Sequence, residues 1–438
     1  MDGDDLFLHP NVLQKINELH QKAWVTYGSF AYYPSLRTDC CCYEVSNEIV
    51  SANGWRTIPG FPTTHLRTAR LSLIKDIPLE AILYYDRFYP AAGDTTWMWS
   101  QCEKAGEHAL FNADQAYGYR ITEQAENKVM PQLHQDCAVY ARNQKPFEPL
   151  QELPFQKPID SLQCDLIIFS YKRPMQLYAL LESLEEYVQG LHKIFVLYRA
   201  DDERYEQSYK AVNNKFENVI FIRQSFDPKT DFQPLVVECL ETSTSDYIMF
   251  ATDDDLVLNK ISIKECIKAL QKTHAYGFYL RLGKNLNQSY MANSPQAVPN
   301  LITIDSTIYA WRIEPSHYNT LFDWVYPNTV DMTIYPKEKI ISTLQNLTFS
   351  NPNTFEGNWA QKAHHEQSKI GLCFEQSKIV NIPANRIQDV SPINNSMEKD
   401  PQELLELFEK GYKIDRKPFH QWQNSSAHAE CEFMFVQR

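Results

Sequence analysis

Tyr247-Ile-Met-Phe-Ala-Thr-Asp-Asp-Asp-Leu-Val-Leu258 sets a short apolar run directly against three consecutive acids. An apolar run without charges reads as a strand buried on both faces of a parallel sheet. In open α/β sheets, ligands gather just beyond the C-terminal ends of such strands. Asp253, Asp254 and Asp255 therefore mark a candidate metal and diphosphate site, with a solvated acidic turn as the plainer alternative.

Working upstream, strands and helices alternate. Cys164-Asp-Leu-Ile-Ile-Phe169 reads as a first strand, followed by the turn Ser170-Tyr-Lys-Arg-Pro174 and a helix with Leu177, Leu180, Leu181 and Leu184 on one face. Lys193-Ile-Phe-Val-Leu-Tyr198 is a second strand, ending near Asp201 and Asp202, and Val219-Ile-Phe-Ile222 is a third. A helix predicted over Pro234 to Thr242 leads into the strand bearing the acids. Strands joined by helices need right-handed crossovers, which give a parallel sheet. Pro146, Pro149, Pro154 and Pro158 discourage both helix and strand, so 146–160 reads as a linker.

The segment around the acids nearly recurs at the start of the chain. Asp4-Asp5-Leu6-Phe7-Leu8 resembles Asp254-Asp255-Leu256-Val257-Leu258, and Gln21-Lys22 recurs as Gln271-Lys272. Tyr27-Gly28 recurs as Tyr276-Gly277, Asp94 precedes Trp97 as Glu356 precedes Trp359, and Tyr119-Arg120-Ile121 echoes Asn385-Arg386-Ile387. Matches in one order with slowly growing offsets argue for two copies of one domain type. The expected layout is a partial copy over 1–145, lacking its nucleotide-binding half, then the linker and a complete domain over 161–438.

Composition agrees with packed domains. A chain of 438 residues with 43% hydrophobic and 13% aromatic content has ample core material for two or three domains. A net charge of -13 argues against general attraction to nucleic acid or to an anionic membrane. No run approaches eighteen apolar residues, and Met-Asp-Gly-Asp-Asp lacks the features of a signal peptide, so a cytoplasmic location is expected, compatible with peripheral membrane association. Cys40, Cys41 and Cys42 are contiguous and the other cysteines scattered, which reads as reduced, structural thiols and not a zinc site. His364 and His365 are adjacent and cannot share a helix face as a metal pair does.

A first strand ending in Ser170-Tyr-Lys-Arg-Pro174, a second ending near an Asp, and a fourth ending in the acid cluster resemble the nucleotide-sugar half of a GT-A fold glycosyltransferase of family 2. Thr252-Asp253-Asp254-Asp255 stands where that family carries Asp-Ala-Asp-Asp, a DXD-type motif. The resemblance implies an α/β, Rossmann-like mixed sheet, mostly parallel and flanked by helices, preceded here by the acceptor-side remnant of a second copy. It implies sugar transfer from a nucleoside-diphosphate sugar, UDP by family frequency, to a glycan or other hydroxyl acceptor, with inversion. Two rivals remain, a catalytically silent nucleotide- or glycan-binding scaffold and a nucleotidyltransferase. The latter normally has a Gly-rich loop after its first strand, which is absent here.

The chemistry assigns candidate roles. A departing diphosphate needs a hard divalent cation, Mg2+ or Mn2+, held by one or two carboxylates. Asp254 is the first choice of ligand, with Asp255 sharing the metal and Asp253 metal or ribose contacts. The resemblance puts Asp201 or Asp202 at the base edge and Ser170 and Arg173 by the nucleotide, a surface or salt-bridge role being the rival for Arg173. Lys229 is a candidate phosphate contact or a solvated lysine. The attacking hydroxyl needs a base, for which Glu356 occupies the place the resemblance implies, although Gly357 stands where an Asp is expected. Asp331 is the second candidate, and a helix-terminus charge is the plainer reading of Glu356. Among many aromatics in the acceptor half, Trp311 and Trp324 are candidate sugar platforms, or core. His428 is read as a capping or surface residue, with metal closure as the alternative.

Overall fold

The computed structural model describes residues 5–120, 126–225, 227–314, 317–363, 369–385, 396–420 and 422–438. Asp2 and Asp4, Ile121, the His364-His365 pair and Arg386-Ile387 lie outside them. The chain divides into two compact units, Met1–Gln156 and Lys157–Arg438, and the boundary falls inside the Pro-rich stretch at 146–160.

The first unit contains strand β1 (Leu6–Phe7), helix α1 (Val12–Leu19), β2 (Val25–Tyr33), β3 (Thr68–Ala69), α2 (Leu71–Lys75), α3 (Gly93–Ala105), β4 (Ala109–Arg120) and α4 (Pro131–Arg142). Its sheet has the order β1-β4-β2-β3, with β2 parallel to β4 and the other pairs antiparallel. Trp55, Trp99, Met98, Cys102 and Tyr27 form its main core.

The second unit begins with β5 (Cys164–Tyr171), α5 (Pro174–Tyr187), β6 (Ile194–Arg199), α6 (Glu203–Lys215), β7 (Val219–Arg223), α7 (Pro228–Thr242) and β8 (Tyr247–Thr252). These are the strands expected from the apolar runs, and β7-β6-β5-β8 are all parallel. Then follow β9 (Asp255–Val257), α8 (Ile263–Thr273), β10 (Gly277–Tyr279), β11 (Ile302–Thr303), β12 (Ile308–Ile313), β13 (Thr333–Pro336), α9 (Lys337–Gln345), α10 (Pro352–Ala363), β14 (Lys369–Phe374), β15 (Ile379–Asn381) and α11 (Pro401–Glu409). The full sheet runs β7-β6-β5-β8-β13-β10-β14-β12-β11, mixed but parallel over its first four strands. Seven of the eight residues of β5 and five of the six of β8 are buried, as continuous apolar runs require when both faces are covered.

Helix α7 starts earlier than the sequence suggests. Asp227 caps it by accepting from the Lys229 N–H, and Pro228 takes the first position, where its missing N–H costs nothing, so Pro234 lies inside the helix.

The chain order places one crevice. From β5 it moves outward through β6 to β7, then returns to β8 on the opposite side of β5. Ligands of such sheets bind where the order reverses, beyond the strand ends. Ser170 and Tyr171 end β5 there with Lys172 and Arg173 following, and Asp253 to Asp255 follow β8.

Candidate active site

Asp253 is fixed by the strand ends themselves. Its N–H donates to the Phe169 carbonyl at 3.1 Å, and its Oδ2 accepts from the Tyr171 N–H at 3.2 Å. Arg173, whose backbone N–H is held by Tyr209 at 3.2 Å, reaches across the crevice. Its Nη1 donates to Asp253 Oδ1 at 3.0 Å and to Asp254 Oδ2 at 2.5 Å. Its Nε donates to Asn385 Oδ1 at 2.8 Å, and its Nη2 donates to the Asn385 carbonyl. The surface reading of Arg173 is thereby corrected, because the guanidinium lies inward with its side chain 15% exposed, whereas the salt-bridge reading holds in its ion pairs with Asp253 and Asp254. Ser170 is buried and bonded to Tyr209 at 2.8 Å, so it braces this loop instead of presenting a free hydroxyl.

The three acids differ in what they leave free. Asp255 accepts from the Thr252 N–H at 3.1 Å and from Asn381 Nδ2 at 3.2 Å, tying β9 to β15. Asp254 has one buried oxygen, Oδ1, with no partner among the described residues. Burial pushes the Asp254 carboxyl up to about 7, with Asp253 and Asp331 adding to the shift and Arg173 opposing it. Burial likewise raises Asp253 and Asp255.

Asp331 and Glu356 stand beside this cluster. Asp331 is buried just before β13. Its backbone N–H donates to Thr329 Oγ1 at 3.1 Å, and Met332, the next residue, adopts φ +42°, a conformation that β-carbon sterics disfavour and that recurs at functional sites. Burial works to raise the Asp331 carboxyl, but His428, Arg281 and Asn381 outweigh it and hold it low. His428 lies 3.4 Å from Asp331 and is a half-buried partner of this acid, not a surface or capping residue. Glu356, in α10, accepts from the Val330 N–H at 2.9 Å. Burial first, and the Asp331 charge second, push its carboxyl up to about 7.

Other expected contacts fall elsewhere. Asp201 accepts from Tyr171 Oη at 2.6 Å and pairs with Lys172 at 2.8 Å and Arg199 at 3.1 Å. Burial raises its carboxyl, but these partners prevail and hold it below the usual range. Asp202 caps α6 through the Tyr205 N–H, which supplies a structural use for it. Lys229 is exposed in the first turn of α7, and its backbone N–H bonds to the helix cap.

Trp311 and Trp324 are corrected to core. Both are fully buried, they pack edge to face at 5.1 Å, and Trp311 Nε1 donates to the Trp324 carbonyl at 2.9 Å. Trp311 pairs across strands with Gly371, where a β-carbon would lie 2.5 Å from its ring. The glycine makes the room that draws this indole inward. Gly371→Ala is expected to destabilise the second unit by about 1–3 kcal/mol through overpacking, measured by urea unfolding; a neutral change would show that the ring gives way freely.

Sequence reasoning did not find Arg281, Asn381, Asn385 or Tyr209. None belongs to a motif, and each reaches the crevice from a separate element. Asn385 was noticed only as part of the internal echo. Among the described residues no three His, Cys, Asp or Glu side chains converge as a ready-made metal cage. The donors present are nonetheless hard oxygens with one unclaimed, which suits Mg2+ or Mn2+ bound by one or two carboxylates and completed by phosphate and water.

No protein-family model matches the chain. Among curated proteins, it is similar to the bifunctional glycosyltransferase pgtA of Dictyostelium discoideum, 28% identical over 253 residues, covering 51% of this chain and 32% of that protein. The chain therefore spans about a third of the length of that relative. Among solved structures, S. aureus TarS 1-349 in complex with UDP shares 13% identity at a TM-score of 0.32, covering 48% of this chain and 60% of that one. A 4-diphosphocytidyl-2C-methyl-D-erythritolsynthase from Anaerococcus prevotii shares 14% at 0.31, covering 51% and 92%. These superpositions are partial, and the strand order described above defines the fold without them. In its strand order and in the acids at its strand ends the chain resembles the GT-A glycosyltransferases, and its curated relative bears the name glycosyltransferase.

Proposed function

We propose that the second unit transfers a sugar from a nucleoside-diphosphate sugar, UDP-linked by preference, to a hydroxyl acceptor with inversion. The observation that carries this reading is the buried, unclaimed Oδ1 of Asp254 at the reversal of strand order. The cation, Mg2+ or Mn2+, is assigned to Asp254 with Asp253 or Asp255 beside it, and when bound it supplies positive charge to the departing diphosphate. Arg173 orients the diphosphate end, Asp253 contributes metal or ribose contacts, and Asp201 lies beyond the end of β6 in the place assigned to the base edge. Glu356 takes the proton of the attacking hydroxyl as the acceptor oxygen bonds to the anomeric carbon and the bond from that carbon to the phosphate oxygen breaks. Asp331, held ionised by His428 and Arg281, keeps Glu356 basic enough to do so.

Thermal shift and calorimetry test this directly. UDP is expected to raise the melting temperature with Mn2+ and not with EDTA, and Asp254→Ala to abolish that gain while the apo protein stays folded. Equal affinity for UDP with and without EDTA would overturn the metal assignment. No affinity for any nucleotide would overturn the transferase reading and leave, of the scaffold alternatives, only a glycan-binding one.

The first unit is proposed as an acceptor-side copy of the second. Two pairings support this. The short strand after the acid pairs antiparallel with a later strand in both units, β1 with β4 and β9 with β15. The following strand is parallel in both, Gly28 opposite Asn112 in β4 and Gly277 opposite Gly371 in β14. Continuing the first register sets Asp5 beside Tyr119 as Asp255 sits beside Asn381, so Tyr119 corresponds to Asn381, four residues before the sequence echo at Asn385. With Tyr117 and the Arg120 N–H both donating to Asp5, that acid is committed to structure. No transfer activity is assigned to this unit.

A further inference from the structure

We propose that Arg173 is a built-in counter-ion occupying the cation position between Asp253 and Asp254, and that an arriving diphosphate draws it away so that metal and nucleotide bind cooperatively. This rests on the reading of the crevice as a nucleotide-diphosphate site.

The geometry is that of a latch with two anchors. One nitrogen, Nη1, serves both carboxylates at 3.0 and 2.5 Å, and the other two nitrogens serve Asn385, whose Oδ1 accepts from Nε at 2.8 Å. The guanidinium thus lies between the acids of β8 and the chain that follows β15. Two further observations point to a second arrangement. Asp254 Oδ1 and Asn385 Nδ2 are buried without partners among the described residues, so the latched state leaves an acceptor and a donor unused on either side of the guanidinium. Among the described residues, no three His, Cys, Asp or Glu side chains are gathered for a metal in this state.

Elementary electrostatics gives the consequence. A divalent cation approaching Asp254 meets a permanent positive charge already on the same carboxylates, so metal alone binds weakly. A diphosphate offers the guanidinium paired anionic oxygens, a geometry that Arg matches with two parallel hydrogen bonds. When Arg173 turns to the phosphate, Asp253 and Asp254 lose their counter-ion and take the cation, which in turn neutralises the phosphate. Arg173 is a positioning residue for the cation and a binding residue for the diphosphate.

The test is Mn2+ affinity, followed by electron paramagnetic resonance on the full chain, with and without UDP. Wild type is expected to bind Mn2+ weakly alone and at least about tenfold more tightly with UDP, within the usual range of coupling between two ligands. Arg173→Gln is expected to bind Mn2+ alone about tenfold more tightly than wild type and to lose most of the coupling. Arg173→Lys, which keeps the charge without the fork, should keep the weak affinity for Mn2+ alone. Asn385→Ala, which releases one anchor and leaves Arg173 in place, should move Mn2+ affinity in the direction of Arg173→Gln, and it carries the test if Arg173→Gln fails to fold. Unchanged or weaker affinity for Mn2+ alone in folded Arg173→Gln or Asn385→Ala, with metal-dependent UDP binding intact in wild type, overturns the latch and leaves the site standing. Absence of UDP binding in wild type under every condition overturns the latch together with the site reading beneath it.

Discussion

Glu356→Gln is expected to keep metal-dependent nucleotide binding and to lose turnover by roughly a hundredfold to ten-thousandfold, the span of a positioned general base. The amide preserves the size of the side chain and its capacity to accept from the Val330 N–H, so the loop leading to Asp331 keeps its anchor. What it removes is the ability to accept a proton. The pH profile carries a second signature. With its carboxyl pushed up to about 7 by burial and by the Asp331 charge, Glu356 is ionised above that pH and protonated below it. kcat/KM should therefore fall about tenfold per pH unit below 7 and level off above it, and Glu356→Gln should lack this limb. Asp331→Asn is the control. Removing its charge takes away the second cause of the shift, so the limb should move to lower pH while a substantial part of the activity survives. A silent Asp331→Asn enzyme beside a normal Glu356→Gln enzyme would reverse the two roles.

The parallel half of the second unit's sheet was legible because β5, β6 and β8 are buried in it, which forces uninterrupted apolar runs that the sequence alone reveals. The acids after β8 were legible for the related reason that charge at the end of such a run needs an explanation. Their partners were not. Arg281, Asn381 and His428 reach Asp331 from three separate stretches of chain, and nothing local to any of them signals that meeting. His428 looked like a terminal surface residue because burial of a segment so far along the chain depends on its bridge to Asn381, a long-range pairing. Trp311 and Trp324 misled for a different reason. Aromatic rings serve sugars and cores alike, and the deciding fact, a glycine opposite Trp311, appears only once the register of β12 on β14 is known. The start of α7 was misplaced because two prolines compete for it, and only the Asp227 cap selects Pro228.

The first unit is held by a buried ion pair whose loss should be felt throughout that unit. Arg56 and Glu103 have side-chain exposures of 5% and 0% and meet through two parallel bonds, Nε to Oε1 at 2.5 Å and Nη2 to Oε2 at 2.9 Å. The remaining valences are used as well. Arg56 Nη1 donates to the Ala141 carbonyl at the end of α4, and Glu103 Oε2 accepts from the Phe147 N–H at 3.1 Å. The pair thus joins α3, α4 and the start of the Pro-rich stretch around one buried point. Glu103→Ala leaves a guanidinium, which cannot lose its charge, without a counter-ion in the core. The expected cost is about 3–5 kcal/mol, the size found when one partner of a buried pair is removed. For a unit of this length that corresponds to a fall of roughly 6–20 °C in its melting transition. Replacing both partners together, Arg56→Met with Glu103→Leu, removes the stranded charge and should recover much of the loss. The measurement is a calorimetric scan of the full chain with UDP and Mn2+ present, where the nucleotide-sensitive transition reports the second unit and the other transition reports the first. A Glu103→Ala protein whose nucleotide-insensitive transition moves by less than about 2 °C, a shift worth no more than about 1 kcal/mol, would show that water reaches Arg56 and that the pair does not organise this core.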